Sequence, residues 1–206
     1  MIASSQFIVL DKRPYRESAL IVSGLSPDFG KISFVIHGAQ KLSAKDFPAA
    51  DIFRELEIEF NDDGTQQELY TAKSVELLTV FDHLADNPKH FKMAGRIGAF
   101  LLKNSAANLP HPCTYDTLRS VLANLSGADC GHAPWTLEQC AVVIKSAFLC
   151  ENGLLPECQS ERQNDFIENL VASGIENAPL PECRSTYWTT LNNWLNSLIE
   201  FHHLKR

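Results

Sequence analysis

Hydrophobic and polar residues alternate along the first third of the chain, with the period of two that half-buried β-strands show. In the clearest segment, RELEIEF at 54–60, three apolar residues are predicted to face a core, and Glu55, Glu57 and Glu59 are predicted to face water. The other segments with strand composition are QFIVL, SALIVSGL, KISFVIHG and QELYTAKSVEL. Short, closely connected strands predict a five-stranded β-barrel of the OB type, with a small sandwich as the alternative.

The segment SPDFG at 26–30 has the composition of a hairpin turn. Pro27 fixes one φ, Asp28 is able to bond its own backbone, and Gly30 tolerates a positive φ. We therefore predict that the segments on either side of it pair as antiparallel strands.

After residue 82 the hydrophobic period becomes that of α-helices. Asn87 followed by proline predicts a helix start, residues 114–125 place apolar side chains on one face, and Thr136–Gln139 has the pattern of a capping box. A last helix is predicted over residues 186–203. The sequence thus predicts an α+β chain, with an OB-type barrel in residues 1–82 and an all-helical domain in residues 83–206.

The composition is that of a soluble globular chain, with 45% hydrophobic and 21% charged residues among 206. Apolar runs are shorter than the roughly 18 residues of a membrane span. The N-terminal segment MIASSQFIVLDKRP has no basic region before its apolar run and no evident cleavage site, so it reads as a first strand. We therefore expect a cytoplasmic protein.

The net charge of -7 is unevenly distributed. Residues 46–82 contain two cations and ten acidic residues, whereas residues 11–45 contain six cations and three acidic residues. These six cations are Lys12, Arg13, Arg16, Lys31, Lys41 and Lys45. Cations at strand ends and loops of a small barrel suit phosphate contacts, and an ordinary solvated surface is the alternative.

Motifs of catalytic and metal sites are missing from the sequence. There is no P-loop, G-x-G-x-x-G, H-E-x-x-H or G-x-S-x-G, and the six cysteines form no C-x-x-C pair. Because a zinc site needs closely spaced ligands, we predict no metal. We also predict no cofactor and no catalytic residues, which favours a binding module over an enzyme.

The segment IVLDKRPYRESALIVSGLSPDFGKISFVIHGAQK at 8–41 resembles the N-terminal OB-fold of the RecO recombination mediator family. The matching residues are Val9, Leu10, Arg13, Pro14, Tyr15, Glu17, Ser18, Gly30, Ile32, Gly38 and Ala39. Further along, ELYTAKSVELL, YDTLRSVLANL, GLLPEC and FHHLKR also resemble parts of the family. The resemblance therefore extends over nearly the whole chain.

Two features depart from the family pattern. Many relatives have a zinc module of two C-x-x-C pairs, of which Cys158 and Cys183 keep at most the first member of each pair. Two thiols cannot complete a tetrahedral site, so the metal is expected to be absent. The family is also generally richer in basic residues, and it tends to have arginine where this chain has Gln40 and Lys41.

The resemblance implies a DNA repair protein that binds single-stranded DNA without sequence preference and promotes strand annealing. With a RecR-like partner it would load recombinase onto DNA coated by single-strand-binding protein. The six cations of residues 11–45 are the implied DNA contacts, and Tyr15 or Phe29 would stack a base if exposed.

The resemblance also implies that the helical domain receives the acidic, hydrophobic C-terminal tail of single-strand-binding protein. Lys89, Lys92, Arg96 and Lys103 on the first helix would supply a basic rim for that tail. The alternative function is a protein-interaction module that keeps the fold but has lost direct DNA binding. The acidic segment 46–82 and the net charge of -7 favour this alternative.

Overall fold

The computed structural model describes residues 1–39, 50–62, 64–65, 67–156 and 160–205. Its strands are β1 (Ile2–Tyr15), β2 (Ala19–Ser26), β3 (Gly30–Ile36), β4 (Arg54–Asn61) and β5 (Leu69–Val80). A short 3-10 helix (Asp82–Asp86) follows, and then α1 (Pro88–Asn104), α2 (Pro112–Ser126), α3 (Leu137–Glu151), α4 (Glu161–Glu176) and α5 (Ser185–Phe201). The predicted α+β class, with five strands before the helices, is confirmed.

The strands close into a barrel in the order β1-β2-β3-β5-β4. All neighbours are antiparallel except β3 and β5, which are parallel. The pairing of β1 with β4 ends at Ile8, so residues 11–15 pair with β2 alone among the described strands. Pro14 lies on this half of β1, where its missing N–H removes no hydrogen bond from a second partner strand.

Alternate side chains of the strands fill the barrel. The rings of Phe7 and Phe60 both pack edge-on against Phe34, with centroid distances of 5.1 Å in each pair. Leu56 and Ile58 are fully buried beside them, which confirms the inward face predicted for β4. Edge-to-face aromatic pairs add about 1 kcal/mol each beyond their area burial, so this cluster stabilises the barrel's centre.

One water-facing prediction on β4 is wrong. Glu57 and Glu59 are exposed as predicted, but Glu55 is only 2% exposed. The register between β4 and β5 shifts between Glu55 and Leu56. Because a bulge bends and twists the strand, the simple alternation of inward and outward side chains does not hold across it.

The neighbouring residue Arg54 is buried and forms an ion pair with the half-exposed Asp82 at the same end of β4. Its side chain is 6% exposed and donates from Nη2 to Oδ2 of Asp82 at 2.7 Å and from Nε to Oδ1 at 3.1 Å. This two-point geometry fixes the guanidinium against the carboxylate. The pair therefore links the first residue of β4 to Asp82, which lies two residues after the end of β5.

The turn between β2 and β3 forms as the sequence predicts, with a different role for Asp28. The Ser26 hydroxyl oxygen accepts the backbone N–H groups of Asp28 and Phe29, both at 3.2 Å. The Asp28 carboxylate accepts the Ser5 hydroxyl at 2.9 Å instead of bonding its own backbone. Gly30 ends the turn with a φ of +62°.

The chain divides into two compact units. The barrel unit contains residues 1–82 together with 101–112, and the helical unit contains residues 83–100 and 113–206. The segment 101–112 lies within the range that the sequence assigns to the helical domain. Dividing the sequence by its hydrophobic period cannot assign this segment to the barrel, because the segment is attached to the barrel by backbone hydrogen bonds.

Three backbone hydrogen bonds attach the segment 101–112 to the turn between β2 and β3. Lys31 donates to the carbonyl of Ala106 at 3.2 Å, and Asn108 donates to the carbonyl of Phe29 at 2.9 Å. A third bond runs from the His111 N–H to the Pro27 carbonyl at 3.0 Å. The segment thus extends the hydrogen bonding of the turn.

The predicted helix starts are confirmed by their caps. Asn87 Oδ1 accepts the Lys89 N–H at 3.0 Å, just before α1. At α3, the Thr136 N–H donates to Gln139 Oε1 at 2.7 Å, and the Gln139 N–H donates to Thr136 Oγ1 at 3.2 Å. Both bonds of a capping box are therefore present.

The helical unit packs α4 and α5 against α3, whose side chains are buried along most of its length. α4 is not predicted from the sequence, although it has a side-chain cap at Ser160, whose Oγ accepts the Gln163 N–H at 3.3 Å. Within the described residues, no helix combines the length and the apolar character that crossing a membrane requires.

Candidate functional site

Three of the cations predicted to contact DNA lie at the end of the barrel formed by the β1–β2 hairpin. Lys12 and Arg13 are exposed near the end of β1, and Arg16 is exposed in the hairpin loop. Arg16 has a φ of +52°, and its guanidinium carbon lies 5.1 Å from the ring centroid of Tyr15. This cation–π contact positions Arg16 over the aromatic ring.

Lys12 and Arg13 point to opposite faces, because successive side chains alternate along a strand. Arg13 lies opposite Ile21 of β2, whereas Lys12 lies opposite Val22, a barrel core residue. The Lys12 ammonium forms an ion pair with the carboxylate of Asp51. Arg13 and Arg16 are therefore the cations at this hairpin end that the structure leaves most available to a phosphate.

Lys31 is not part of the same group. It lies opposite Leu25 of β2, four residues along that strand from Ile21, which corresponds to about 13 Å. Ile21, Leu25 and Val35 on this outer face of β2 and β3 are at most 7% exposed. Arg13 and Lys31 therefore lie at the two ends of a buried face, and the described cations do not line one open groove.

Lys41 and Lys45 lie outside the described residues. The two aromatic residues proposed to stack a base also have other partners. Phe29 packs on the barrel core, with its ring centroid 5.3 Å from that of Phe60. Tyr15 is half-buried beside Ala19, Ile21 and Val35. The structure thus gives Phe29 a role in the core rather than at the surface.

Carboxylates balance the cations at the hairpin end. Asp11 and Glu17 are exposed there, and Asp51 pairs with Lys12. Three acidic residues thus accompany Lys12, Arg13 and Arg16, and the formal charges of these six described residues sum to zero. Because long-range steering of a polyanion needs a net positive field, contacts with DNA at this surface depend on short-range phosphate bonds.

The outer face of β4 and β5 is acidic. Glu57 lies directly opposite Glu76, a like-charge pair that destabilises a sheet. Hydroxyl donors offset part of this cost: Ser4 donates to Glu57 at 3.1 Å, and Ser74 donates to Glu59 at 2.8 Å. This face would repel DNA and suits a basic partner.

A pocket of about 380 Å³ opens between α1, α3 and α5 in the helical unit. Its lining is Met93, Arg96, Ile97, Phe100, Ala141, Ile144, Lys145, Asn192, Asn196 and Ile199. Lys145 donates from Nζ to the Oδ1 atoms of Asn192 and Asn196, both at 2.8 Å. These bonds hold the ammonium at the wall of an otherwise largely apolar pocket, an arrangement that fits a ligand with apolar and carboxylate groups.

The cations predicted for this site are only partly at the pocket. Arg96 lines it, but Lys89 and Lys92 are exposed on α1 outside its lining. Lys103 belongs to the barrel unit. Lys145 was not predicted, although its signal is visible in the sequence: it is the one lysine in the largely apolar segment LEQCAVVIKSAFLCE.

Four of the described cysteines have thiols that are protonated at neutral pH. Burial raises the pKa of Cys140 from 9.0 to about 12. Burial also raises the pKa of Cys183, and burial together with the charge of Glu151 raises the pKa values of Cys113 and Cys150. Because the thiolate is the nucleophile and the metal ligand, these four thiols are poorly suited to either role.

The positions of potential metal ligands agree with this result. Across the described ranges, no group of three or more His, Cys, Asp or Glu side chains is placed to hold a metal ion. Cys158, one of the two cysteines matched to the zinc module of relatives, lies outside those ranges.

Comparison with known proteins finds a family model that matches the barrel and one relative that matches more than half of the chain. Residues 1–81 match the family model described as Recombination protein O N terminal, a range that contains all five strands. Over 119 residues the chain is 27% identical to the DNA repair protein RecO of Mesoplasma florum. That alignment covers 58% of this chain and 45% of the relative, so the chain matches less than half of the relative's length.

Proposed function

We propose that this chain acts as a recombination mediator in DNA repair, because its residues 1–81 match the Recombination protein O N-terminal family model, in agreement with the resemblance seen in the sequence. The observation that carries the proposal is the family match over the whole barrel. The strand order β1-β2-β3-β5-β4 supports an OB-type barrel, a fold that often binds oligonucleotides. Mediation requires no bond making, so we propose no enzymatic activity.

In this proposal the barrel binds single-stranded DNA without sequence preference. Arg13 and Arg16 contact phosphates at the hairpin end, and Lys31 contacts the strand separately. Lys12 contributes when it exchanges Asp51 for a phosphate, while Lys41 and Lys45 remain predicted contacts outside the described residues. Such contacts leave base edges accessible, which is what annealing of a complementary strand requires.

The partner part of the proposal rests on the pocket between α1, α3 and α5. The acidic, hydrophobic tail of single-strand-binding protein would place an apolar side chain between Ile97, Phe100 and Ile144, and its carboxylates would meet Arg96 and Lys145. Binding this tail brings the protein to coated DNA. A RecR-like protein is the proposed partner for loading recombinase there.

The DNA part is tested with the double variant Arg13→Ala/Arg16→Ala. We expect its affinity for a labelled single-stranded oligonucleotide to fall about tenfold at roughly 50 mM salt, because two phosphate contacts are lost. The slope of log K against log salt should become shallower by about 1.4, as expected for two contacts on a single strand. Fluorescence anisotropy between roughly 50 and 200 mM salt measures both.

The matched control for that experiment is Lys89→Ala/Lys92→Ala, which removes two exposed cations from the helical unit. It should bind the oligonucleotide as the parent chain does, and circular dichroism should show that both variants are folded. Equal affinities and salt slopes for the hairpin variant and the parent would reject the barrel as the DNA contact.

The pocket is tested with Lys145→Ala and Arg96→Ala, using a labelled peptide of the single-strand-binding protein tail. We expect each variant to bind the peptide about tenfold more weakly, because each loses a hydrogen bond to a carboxylate. Lys89→Ala/Lys92→Ala is again the control, since these residues lie outside the pocket lining. A loss of affinity that is as large in the control would place the peptide elsewhere on α1.

The alternative, a protein-interaction module without direct DNA binding, is supported by two described features. These are the balanced charge at the hairpin end and the Glu57–Glu76 pair on the outer face of β4 and β5. Tail-peptide binding without any oligonucleotide binding at roughly 50 mM salt would establish this alternative.

A further inference from the structure

A second pocket of the helical unit, of about 630 Å³, opens between the first turns of α4 and α5. Its lining residues are Ser160, Arg162, Gln163, Phe166, Glu182, Cys183, Arg184, Thr186, Tyr187 and Thr190. None of them lines the pocket between α1, α3 and α5. Its volume is within the roughly 300–1,000 Å³ range of small-ligand sites.

Two arginines give this pocket a positive character. Arg162 and Arg184 are exposed, and neither side chain has a hydrogen bond or an ion pair within the part of the chain that the structure describes. Glu182 is the one carboxylate among the described lining residues, so their side chains sum to +1. Two guanidinium groups that have no partner among the described residues suit an anionic ligand.

The start of α5 adds to this preference. Arg184 is the N-cap residue, and its side chain makes no capping hydrogen bond. Side chains preferred at this position accept N–H groups of the first helical turn, whereas a guanidinium offers no acceptor. The N-terminal end of α5 therefore retains donors and a partial positive charge at the edge of the pocket.

Aromatic rings form another part of the wall. The rings of Phe166 and Tyr187 lie perpendicular, with centroids 5.2 Å apart, and Trp188 supports Phe166 at 6.2 Å. Tyr187 is 37% exposed, while Trp188 is buried. A supported, partly exposed aromatic ring beside arginines is the combination on which bases of single-stranded nucleic acid stack.

We propose that this pocket binds one or two nucleotides of single-stranded DNA, with a base stacked on Tyr187 and phosphates contacted by Arg162 and Arg184. Inorganic phosphate alone would need only the arginines, and the aromatic wall therefore favours a nucleotide. The proposal deepens the proposed function, on which the choice of DNA rests, by adding a contact in the helical unit. This contact has no residue in common with the β1–β2 hairpin.

The test measures binding of a labelled oligothymidylate by the full chain and its variants. We expect Tyr187→Ala to weaken binding about tenfold, whereas Tyr187→Phe, which keeps the ring, should bind as the parent does. Arg162→Ala/Arg184→Ala should make the log–log salt slope shallower by about 1.4. Glu182→Gln should strengthen binding, because it removes the carboxylate from the pocket.

A second readout locates the DNA directly. An oligonucleotide that contains 5-iodouracil, irradiated with the full chain, should crosslink to the peptide that contains Tyr187. The crosslink should persist in Arg13→Ala/Arg16→Ala, because the pocket shares no residue with the hairpin. Lys89→Ala/Lys92→Ala is the charge-matched control for the pocket arginines and should change neither the crosslink nor the salt slope.

The outcomes separate this inference from the proposed function. If the hairpin variant loses affinity and the pocket variants do not, the inference is overturned and the barrel remains the DNA contact. If the pocket variants lose affinity and the hairpin variant does not, the inference is supported and the barrel contact fails. If Arg162→Ala/Arg184→Ala loses affinity for the oligonucleotide but Tyr187→Ala binds it as the parent does, the pocket is an anion site without base stacking. That outcome would overturn the nucleotide assignment.

Discussion

Replacing Gly30 with alanine is expected to lower the free energy of unfolding by about 3 kcal/mol. A Cβ at this position would lie 2.1 Å from the carbonyl oxygen of Leu109 and 2.8 Å from that of Ala106. The positive φ of +62° costs about 1 kcal/mol for a residue with a Cβ. The clash adds to this cost, because moving the segment away from Gly30 weakens the Lys31–Ala106 and Asn108–Phe29 backbone hydrogen bonds, which contribute about 1 kcal/mol each.

Gly38→Ala is the matched control, because Gly38 has a similar φ of +76°. Apart from its chain neighbours, a Cβ added at Gly38 would have no atom of the described residues within 4 Å. This variant should cost only the conformational contribution of about 1 kcal/mol. Urea unfolding followed by circular dichroism gives both values. Equal losses in the two variants would mean that the segment 101–112 is not closely packed on the turn.

Replacing Arg54 with alanine is expected to cost about 2–3 kcal/mol. Removing one partner of a fully buried pair costs about 3–5 kcal/mol, and this figure is reduced here because the Asp82 side chain is 53% exposed and regains hydration. The loss of the buried guanidinium's packing is included in the expected value. Thermal and urea unfolding of Arg54→Ala measure it.

Lys12→Ala provides the comparison for Arg54. Lys12 and Asp51 also form an ion pair, but their side chains are 39% and 34% exposed. Such a pair contributes about 0.5 kcal/mol and is screened by salt. If Arg54→Ala were no more destabilising than Lys12→Ala, the different burial of the two ion pairs would not explain their contributions to the free energy of unfolding.

Much of the secondary structure was predictable because its signals are local. The period of two in β4, the SPDFG turn and the Thr136 capping box each depend on residues within a few positions of one another. Glu55 was predicted wrongly because its burial depends on the register of β4 against β5, which no local pattern contains.

α4 escaped prediction because its buried face is narrow, consisting of Ile167, Leu170 and Gly174. A glycine inside a helix lowers its intrinsic propensity. The structure shows why glycine fits there: a Cβ on Gly174 would lie 2.6 Å from a methyl carbon of Val143. Close packing against α3 thus uses a residue that sequence reasoning counts against a helix.

The candidate sites were predictable only in part, because the signals in a sequence are local. Arg13 and Arg16 are close in sequence and lie at one hairpin end, whereas Lys31 is separated from them by strand register. Lys145 and Arg96 meet at one pocket although they come from different helices. Their proximity is a property of helix packing, which the spacing of residues along the chain does not encode.

The attachment of residues 101–112 to the turn at 27–31 has a consequence during synthesis. The barrel strands are all translated by residue 80, but the backbone partners of that turn are translated only with residues 106–111. At roughly 5–20 residues per second, about 30 further residues take a few seconds. During that interval, after the five strands have left the ribosome and before residues 106–111 follow them, a nascent barrel presents unpaired backbone groups at Phe29 and Lys31.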